Sequence, residues 1–418
     1  MNPIDIYQSL VKEVSKRVPR PEGENITEII IGSATCENAS GAARLEKAFK
    51  RLINENNRED VFLKIRGCTG RCSQEPIVTI NKKGKLPVSY YNVNTAQCEE
   101  IFRSHVFTGT PVKSILPHTD QYPEQEFQFI FCEGGQCANE FSREMRSLFE
   151  NTCKERSISS ERVGIINASC FGLCSNVEIG RVAHVLVRPG NIIYKIVNKS
   201  DVDEIVDKHI VKHETVQRLL ATGNPIDKSF FELFGDARYF QHQSRVALRN
   251  CGVINPESLD DYLLHNGFHA LATVLQKNDP SWPVAEVRRS NLRGRGGAGY
   301  PTGLKWRNVA DNQQSIRYVI CNADEGDPGA FMDRDMLESD PFSIIEGMLI
   351  AAYAIGANQG FFYIRAEYPL AVKRVENALK HCREYKLLGQ NILGSRFSCD
   401  IEVRLGAGAS QGGERLSA

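Results

Sequence analysis

An internal repeat constrains this chain more than any other feature of its sequence. Two segments of roughly a hundred residues, beginning near Asn25 and Glu124, carry the same punctuation. In the first, an apolar run over residues 26–31 leads to Cys36, a helix-like stretch over 42–54, a second apolar run over 61–65, and then Cys68-Thr69-Gly70-Arg71-Cys72. In the second, residues 127–131 lead to Cys132 and Cys137, a helix-like stretch over 140–154, a run over 163–166, and Cys170-Phe171-Gly172-Leu173-Cys174. Each copy continues into a hairpin-like pair of strands and a closing helix, residues 183–198 and 200–209 in the second. Strands alternating with helices predict an α/β unit for each copy, at 25–115 and 124–219, behind an N-terminal helix within 1–24. A polar linker over 220–244 and a glycine-richer unit over 245–418 complete the division, so the expected fold class is α/β and multidomain.

Composition bears on what the cysteines do. The chain holds 51 basic and 51 acidic residues, and no charge bias points to nucleic acid. Residues 1–20 mix apolar and charged side chains without a signal-peptide core, and nowhere do about 18 apolar residues run together. A cytoplasmic chain without a membrane span is therefore expected. Disulfides are rarely kept in that compartment, so the 13 cysteines are better explained by metal or redox use. The dispersed ones, Cys98, Cys153, Cys251, Cys321, Cys382 and Cys399, read as small buried apolar groups.

In the second copy the spacings are C-x4-C and C-x3-C, with glycines nearby and each pair in the loop after an apolar run. Four thiolates on adjacent loops of a sheet suit a [2Fe–2S] cluster, and glycines let backbone N–H groups approach the sulfurs. Zinc would accept the same sulfurs, although structural zinc sites usually show closer C-x2-C pairs; free thiols are a third reading. On these residues the copy resembles the thioredoxin-like [2Fe–2S] ferredoxins, which include the 24 kDa-type subunit of respiratory complex I, over residues 127–219. The resemblance implies a thioredoxin-like ferredoxin fold in both copies, and Cys132, Cys137, Cys170 and Cys174 as the cluster ligands. The first copy keeps only Cys36, Cys68 and Cys72; opposite Cys132 it has Ile31 or, with one gap, Gly32. It reads as a degenerate copy retained for packing or docking, with iron in the second copy alone.

The third unit contains Leu292-Arg293-Gly294-Arg295-Gly296-Gly297-Ala298-Gly299-Tyr300-Pro301-Thr302-Gly303-Leu304-Lys305-Trp306. Its G-x-G-x-x-G spacing lacks the strand that opens a Rossmann unit, because residues 283–291 read as a polar helix. A phosphate-cradling loop fits better: close glycines expose N–H groups to an anion, and Arg295 and Lys305 add positive charge. A tight surface turn is the plainer reading. The next apolar run, 316–321, leads into Asn322, Asp324, Glu325 and Asp327, at the strand end where open α/β sheets bind ligands. A solvated acidic turn is the plainer reading there too.

Together with residues 248–252, 255–260 and 363–369, these two motifs resemble the FMN- and NADH-binding flavoprotein subunit of complex I and its relatives in NAD-linked hydrogenases and formate dehydrogenases, from about Val246 onward. The resemblance implies Gly294, Arg295, Gly296 and Lys305 around the FMN phosphate and ribityl chain. It implies Asn322, Asp324 and Glu325 beside the flavin, and Asp327 at the nicotinamide end of NADH, where the family commonly has Glu. It weakens over residues 406–418: the family pattern G-A-G-A-Y-x-C-G-E-E-T-A-L meets Ser410, Gly412 and Arg415, while Gly413 and Glu414 align. The expectation is an FMN/NADH-binding α/β domain left incomplete inside the flavin pocket, by truncation or as a naturally shortened chain.

What the family implies is a dehydrogenase module that passes a hydride from NADH to FMN. Single electrons then go to iron–sulfur clusters and a partner subunit of a hydrogenase, formate dehydrogenase or complex I-like assembly. No side chain is required as acid or base for the hydride itself. The alternative is a non-catalytic [2Fe–2S] carrier or scaffold whose flavin region only docks to a partner.

Overall fold

Thr27–Gly32 (β1) alternates buried Thr27, Ile29 and Ile31 with half-buried neighbours, the period of a strand packed harder on one face. It pairs in parallel with Val61–Arg66 (β2) and antiparallel with Val78–Lys82 (β3), and Val88–Tyr90 (β4) forms the edge, in the order β2-β1-β3-β4. The second copy builds the same sheet from Phe127–Cys132 (β5), Val163–Ala168 (β6), Ala183–Arg188 (β7) and Ile192–Ile196 (β8), in the order β6-β5-β7-β8. The computed structural model describes residues 2–18, 26–116, 125–133, 139–168, 171, 178, 180–221, 246–295, 297–327 and 329–406. The α/β expectation holds across them.

Helix Ala42–Glu55 lays Ala42, Leu45, Phe49 and Leu52, one stripe at helical spacing, on Ile29, Ile31, Val78 and Ile80. In the second copy Met145, Phe149 and Cys153 cover Phe127, Phe129 and Phe131. Each fully buried phenylalanine contributes about 1.5–3 kcal/mol. The repeat extends to polar detail. The Tyr90 hydroxyl lies 2.9 Å from His105 Nδ1 and accepts the Val112 N–H at 3.1 Å; Tyr194 does the same with His209 at 2.7 Å and Val216 at 3.0 Å. Helices Thr95–Ile101 and Lys199–Ile205 both open on a capping box, Asn94 with Gln97 and Asn198 with Asp201, and both run on into a π-helical turn. Register settles one open point. β1 ends with Gly32 opposite Arg66 and β5 with Cys132 opposite Ala168, so Gly32, and not Ile31, is the counterpart of Cys132.

These copies form one compact unit, Pro21–Val253; the other is Met1–Arg20 with Ile254–Ala418. The N-terminal helix, Pro3–Arg17, is capped by the Asn2 side chain, buries Tyr7 and Val14, and pairs Arg17 with Asp260 at 2.6 Å. It belongs with the third unit, not with the repeats that follow it in sequence. There Tyr318–Ala323 (β9), Gln359–Arg365 (β10) and Asp400–Gly406 (β11) form a parallel sheet with β10 in the centre. Helix Pro341–Ile355 is apolar nearly all round and buries Phe342, Ile345, Leu349 and Ala352.

Helices Ser281–Arg289 and Thr302–Ala310 meet at Gly303, where a methyl group would lie 2.4 Å from Arg288 Cγ and 2.7 Å from its backbone N. Gly303→Ala is therefore expected to push the helices apart and lower stability by about 1–3 kcal/mol, read from the urea midpoint of the full chain. An unchanged midpoint would show that this contact yields freely.

Candidate functional site

The glycine loop is pinched at its neck. Gly294 N–H donates to the Tyr300 carbonyl at 2.9 Å, Thr302 N–H to the Leu292 carbonyl at 2.9 Å, and Arg293 bridges to Pro301. Beyond the neck, Gly297 and Gly299 take φ of +96° and +58°, conformations in which a side chain is strained. Nothing lies within 4 Å of where their Cβ atoms would stand, so the backbone is open to a ligand. Arg295 and Lys305 are exposed on this segment, and the Arg295 guanidinium donates to the Arg293 carbonyl at 2.8 Å. The arrangement suits an anion: accessible amides, two exposed cations, and the start of helix Thr302–Ala310. Gly296 lies outside the described residues.

The acidic loop leaves the C-terminal end of β9. Asn322 turns back to accept the Asp324 N–H at 3.1 Å. The Glu325 carboxyl accepts the N–H groups of Asp333 and Arg334 at 3.2 and 3.4 Å and the Tyr368 hydroxyl at 3.3 Å, while Arg365 donates to the Glu325 carbonyl. Glu325 thus holds the N-terminus of helix Met332–Ser339 and fixes its own loop. Asp324 stands against the end of β11: its Oδ1 is 3.0 Å from the Cβ position of Gly406. The structure brings Asn322, Asp324 and Glu325 together at the ends of parallel strands, with Asp327 exposed further along. Burial and then the charge of Glu325 raise the Asp333 carboxyl, and burial pushes the Cys321 thiol up to about 12. Arg365 and Tyr368 fall in the 363–369 run, but only the fold reveals their grip on Glu325. Gly413 and Glu414 lie outside the described residues.

Of the four expected cluster ligands, Cys132 is described, and Cys137, Cys170 and Cys174 lie outside the described residues. Cys132 is buried at the end of β5, and its sulfur accepts the Phe171 N–H at 3.2 Å. Phe171 lies between Cys170 and Cys174 in sequence, so a residue of the second cysteine pair's segment supplies a hydrogen bond to the Cys132 sulfur, a contact of the kind that stabilises thiolate in cluster sites. Cys132, buried and accepting an N–H, fits the part of one ligand to such a group.

The first copy holds a second constellation. One ligand atom each from Cys36, Cys72 and Glu75 lie within 4.8 Å of one another, and so do those from Glu37, Cys68 and Glu75. Cys68 sulfur accepts the Gly70 N–H at 3.2 Å. Burial, then Glu75, then Cys36 push the Cys72 thiol up to about 11. The carboxylates escaped the sequence reading, although Cys36-Glu37 adjacency and the C-x2-E spacing of Cys72 and Glu75 were there to be seen. The dispersed Cys98, Cys153, Cys251, Cys382 and Cys399 are buried, as expected for packing, and Cys321 is half-buried.

Comparison with known proteins places the third unit in context. Residues 287–416, which include both loops, match the family described as Nuo51 FMN-binding domain. The chain is 56% identical over 175 residues to the NADP-reducing hydrogenase subunit HndC of Solidesulfovibrio fructosivorans, covering 42% of this chain and 35% of that one. It is 46% identical over 172 residues to the F 2 subunit of the NADH-quinone oxidoreductase of Rhizobium meliloti (strain 1021), covering 41% of each. It thus spans well under half the length of these relatives. Among solved structures, an NAD+-reducing [NiFe]-hydrogenase in the air-oxidized state aligns over 70% of this chain and 45% of its own, at 23% identity and a TM-score of 0.31. The thioredoxin-like [2Fe–2S] ferredoxin from Aquifex aeolicus aligns over 23% of this chain and 96% of its own, at 27% identity and a TM-score of 0.19.

Proposed function

We propose that this chain is the flavin-bearing, NADH-oxidising part of an electron-transfer assembly, in which the second repeat carries a [2Fe–2S] relay. The observation that carries the reading is the match of residues 287–416 to an FMN-binding domain, spanning the glycine loop and the acidic loop alike. Its relatives are named as hydrogenase and quinone oxidoreductase subunits, so a partner subunit of hydrogenase, formate dehydrogenase or complex I type is the corresponding proposal. Among the described residues no helix is long and apolar enough to cross a membrane. A cytoplasmic location is proposed with it.

FMN bound here would accept electrons in pairs with a hydride and release them singly, which suits a relay that takes one at a time. Gly294, Arg295, Gly296 and Lys305 would bind its phosphate end, the open backbone at Gly297 and Gly299 allowing close approach. Asn322 and Asp324 would orient the ring system from a loop that Glu325 already anchors through Tyr368 and Arg365, so little ordering is left to binding. Asp327 would meet the nicotinamide end of NADH, and Gly413 and Glu414 would close the pocket. Cys132, Cys137, Cys170 and Cys174 would hold the relay, with the Phe171 N–H lowering the charge on one sulfur.

The test is the absorption spectrum of the anaerobically purified full chain, with flavin and iron quantified, before and after NADH. Flavin and iron–sulfur bands that bleach on addition are expected. Iron–sulfur absorbance with no flavin, even after incubation with FMN, would overturn the dehydrogenase reading and leave a carrier.

A further inference from the structure

We propose that the first repeat, which lacks one of the four cysteines of the second, binds a single zinc-like divalent ion through Cys36, Cys72 and Glu75. Three observations carry this. The sulfurs of Cys36 and Cys72 and a Glu75 oxygen lie within 4.8 Å of one another, close enough to converge on one ion at bond lengths of about 2.0–2.3 Å. Gly32 replaces Cys132 in register, and the space its side chain would fill is taken by a carboxylate: Glu37 Oε1 is 2.6 Å from the Gly32 Cβ position. A carboxylate thus stands where the fourth thiol would, so this copy cannot assemble the four-sulfur set of the second. Glu75, the carboxyl ligand, is 5% exposed, so its oxygens are held inside the copy beside the two sulfurs and not out in solvent.

The arrangement favours one ion over a second [2Fe–2S] cluster. A cluster needs two ligand pairs with room for bridging sulfides between them. Glu75 belongs to both groupings, with Cys36 and Cys72 and with Glu37 and Cys68, so the two share a ligand and are not two separate ligand pairs. A mixed set of two sulfurs and one carboxyl oxygen suits tetrahedral zinc, which also outcompetes ferrous iron for such donors. Cys72 is exposed, which gives the ion a way in and leaves the fourth position to solvent. Binding releases the two thiol protons to water as the sulfurs become thiolates. Two buried arginines of the same copy, Arg66 and Arg71, supply positive charge as well, so the competing account is a purely ionic cluster that needs no metal.

The inference is independent of the flavin reading, and its test reads metal content, not turnover. Zinc, iron and acid-labile sulfide are measured in the full chain purified without chelator, in the wild type, in a C36S/C72S double variant and in Cys132→Ser. The expected result is about one zinc per chain that the double variant loses while its iron is unchanged, and that Cys132→Ser keeps while its iron is lost. Glu75→Gln is expected to weaken zinc by about tenfold or more in chelator competition. Should the double variant fail to fold, cobalt substitution of the wild type replaces it: thiolate-to-cobalt charge transfer with strong tetrahedral ligand-field bands supports the site, and weak octahedral bands overturn it. Absence of zinc after incubation with zinc salt overturns the proposal in favour of the ionic cluster. A doubled iron and sulfide content that falls with C36S/C72S overturns it in favour of a second iron–sulfur cluster.

Discussion

Acidification from about pH 7 to about pH 4.5 is expected to destabilise the Pro21–Val253 unit by several kcal/mol, a larger effect than any single side-chain truncation in it. Three histidines there are almost wholly buried: His105 at 4% exposure, His184 at 1% and His209 at 5%. Burial, the largest cause in each case, holds all three down to about 4; Lys82 adds to it at His105, Lys195 at His184 and His213 at His209, with Glu178 opposing at His184. In the unfolded chain each would titrate near 6.5. Between these values the unfolded state binds more protons than the folded one, so stability rises with pH and is lost as pH falls through this window. At about 1.4 kcal/mol for each pH step crossed between the two values, each histidine contributes about 2 kcal/mol of the loss. The structural reason is shared by two of them, because a neutral imidazole can accept the Tyr90 or Tyr194 hydroxyl at Nδ1 and a protonated one cannot. Urea midpoints of the full chain at the two pH values check it, following a probe in the repeats; His105→Gln should flatten the dependence by about a third. A midpoint that ignores pH would mean that charged imidazolium is tolerated inside both copies.

The elements of this unit were legible because the pattern is written twice, once in each copy. Apolar runs expected at 26–31 and 163–166 became Thr27–Gly32 and Val163–Ala168, and the helix expected at 42–54 became Ala42–Glu55. Period two and period three-and-a-half survive in sequence because one face of each element is buried. The glycine and acidic loops were legible for a different reason: they depend on residue types, Gly at positive φ and Asx at a strand end, that few other side chains can replace. What could not be read was long-range. Nothing local in Pro3–Arg17 announces that Arg17 will meet Asp260, 243 positions away. Likewise, Glu37, Glu75, Glu338 and Glu346 are written like any surface acid yet are all buried. A carboxyl that folds inward leaves no periodic trace, since only its neighbours in space reveal why it is there. Gly303 belongs to the same class: it reads as one more loop glycine and acts as the contact point of two helices.

Glu346 shows what such a residue does, and its removal is expected to be the most damaging substitution in the third unit. It lies in the apolar helix Pro341–Ile355 and is 7% exposed. Its carboxyl oxygens accept the Tyr262 hydroxyl at 2.7 Å, the Phe268 N–H at 2.8 Å and the Leu271 N–H at 3.0 Å. Two of these donors are the unsatisfied amides at the start of helix His269–Lys277, whose N-cap position is Phe268 at φ +62°. Phenylalanine has no side-chain acceptor, so the cap is supplied across the core from position 346. Glu346→Ala would leave the buried Phe268 and Leu271 N–H groups without their acceptor, each costing about 1–3 kcal/mol, would take from the Tyr262 hydroxyl its bond to position 346, and would open a cavity beside the Tyr262 and Phe342 rings, stacked at 5.7 Å. The expected loss is about 3–5 kcal/mol, of the order of the stability of many domains. Glu346→Gln keeps the shape and one acceptor oxygen but turns an amide NH2 toward the other donors, so its loss should be roughly half as large. Urea unfolding ranks the three proteins, and hydrogen exchange in peptides spanning residues 262–277 locates the effect. If the alanine variant unfolds at the wild-type midpoint with those amides still protected, water has replaced the carboxyl, and the cap is dispensable.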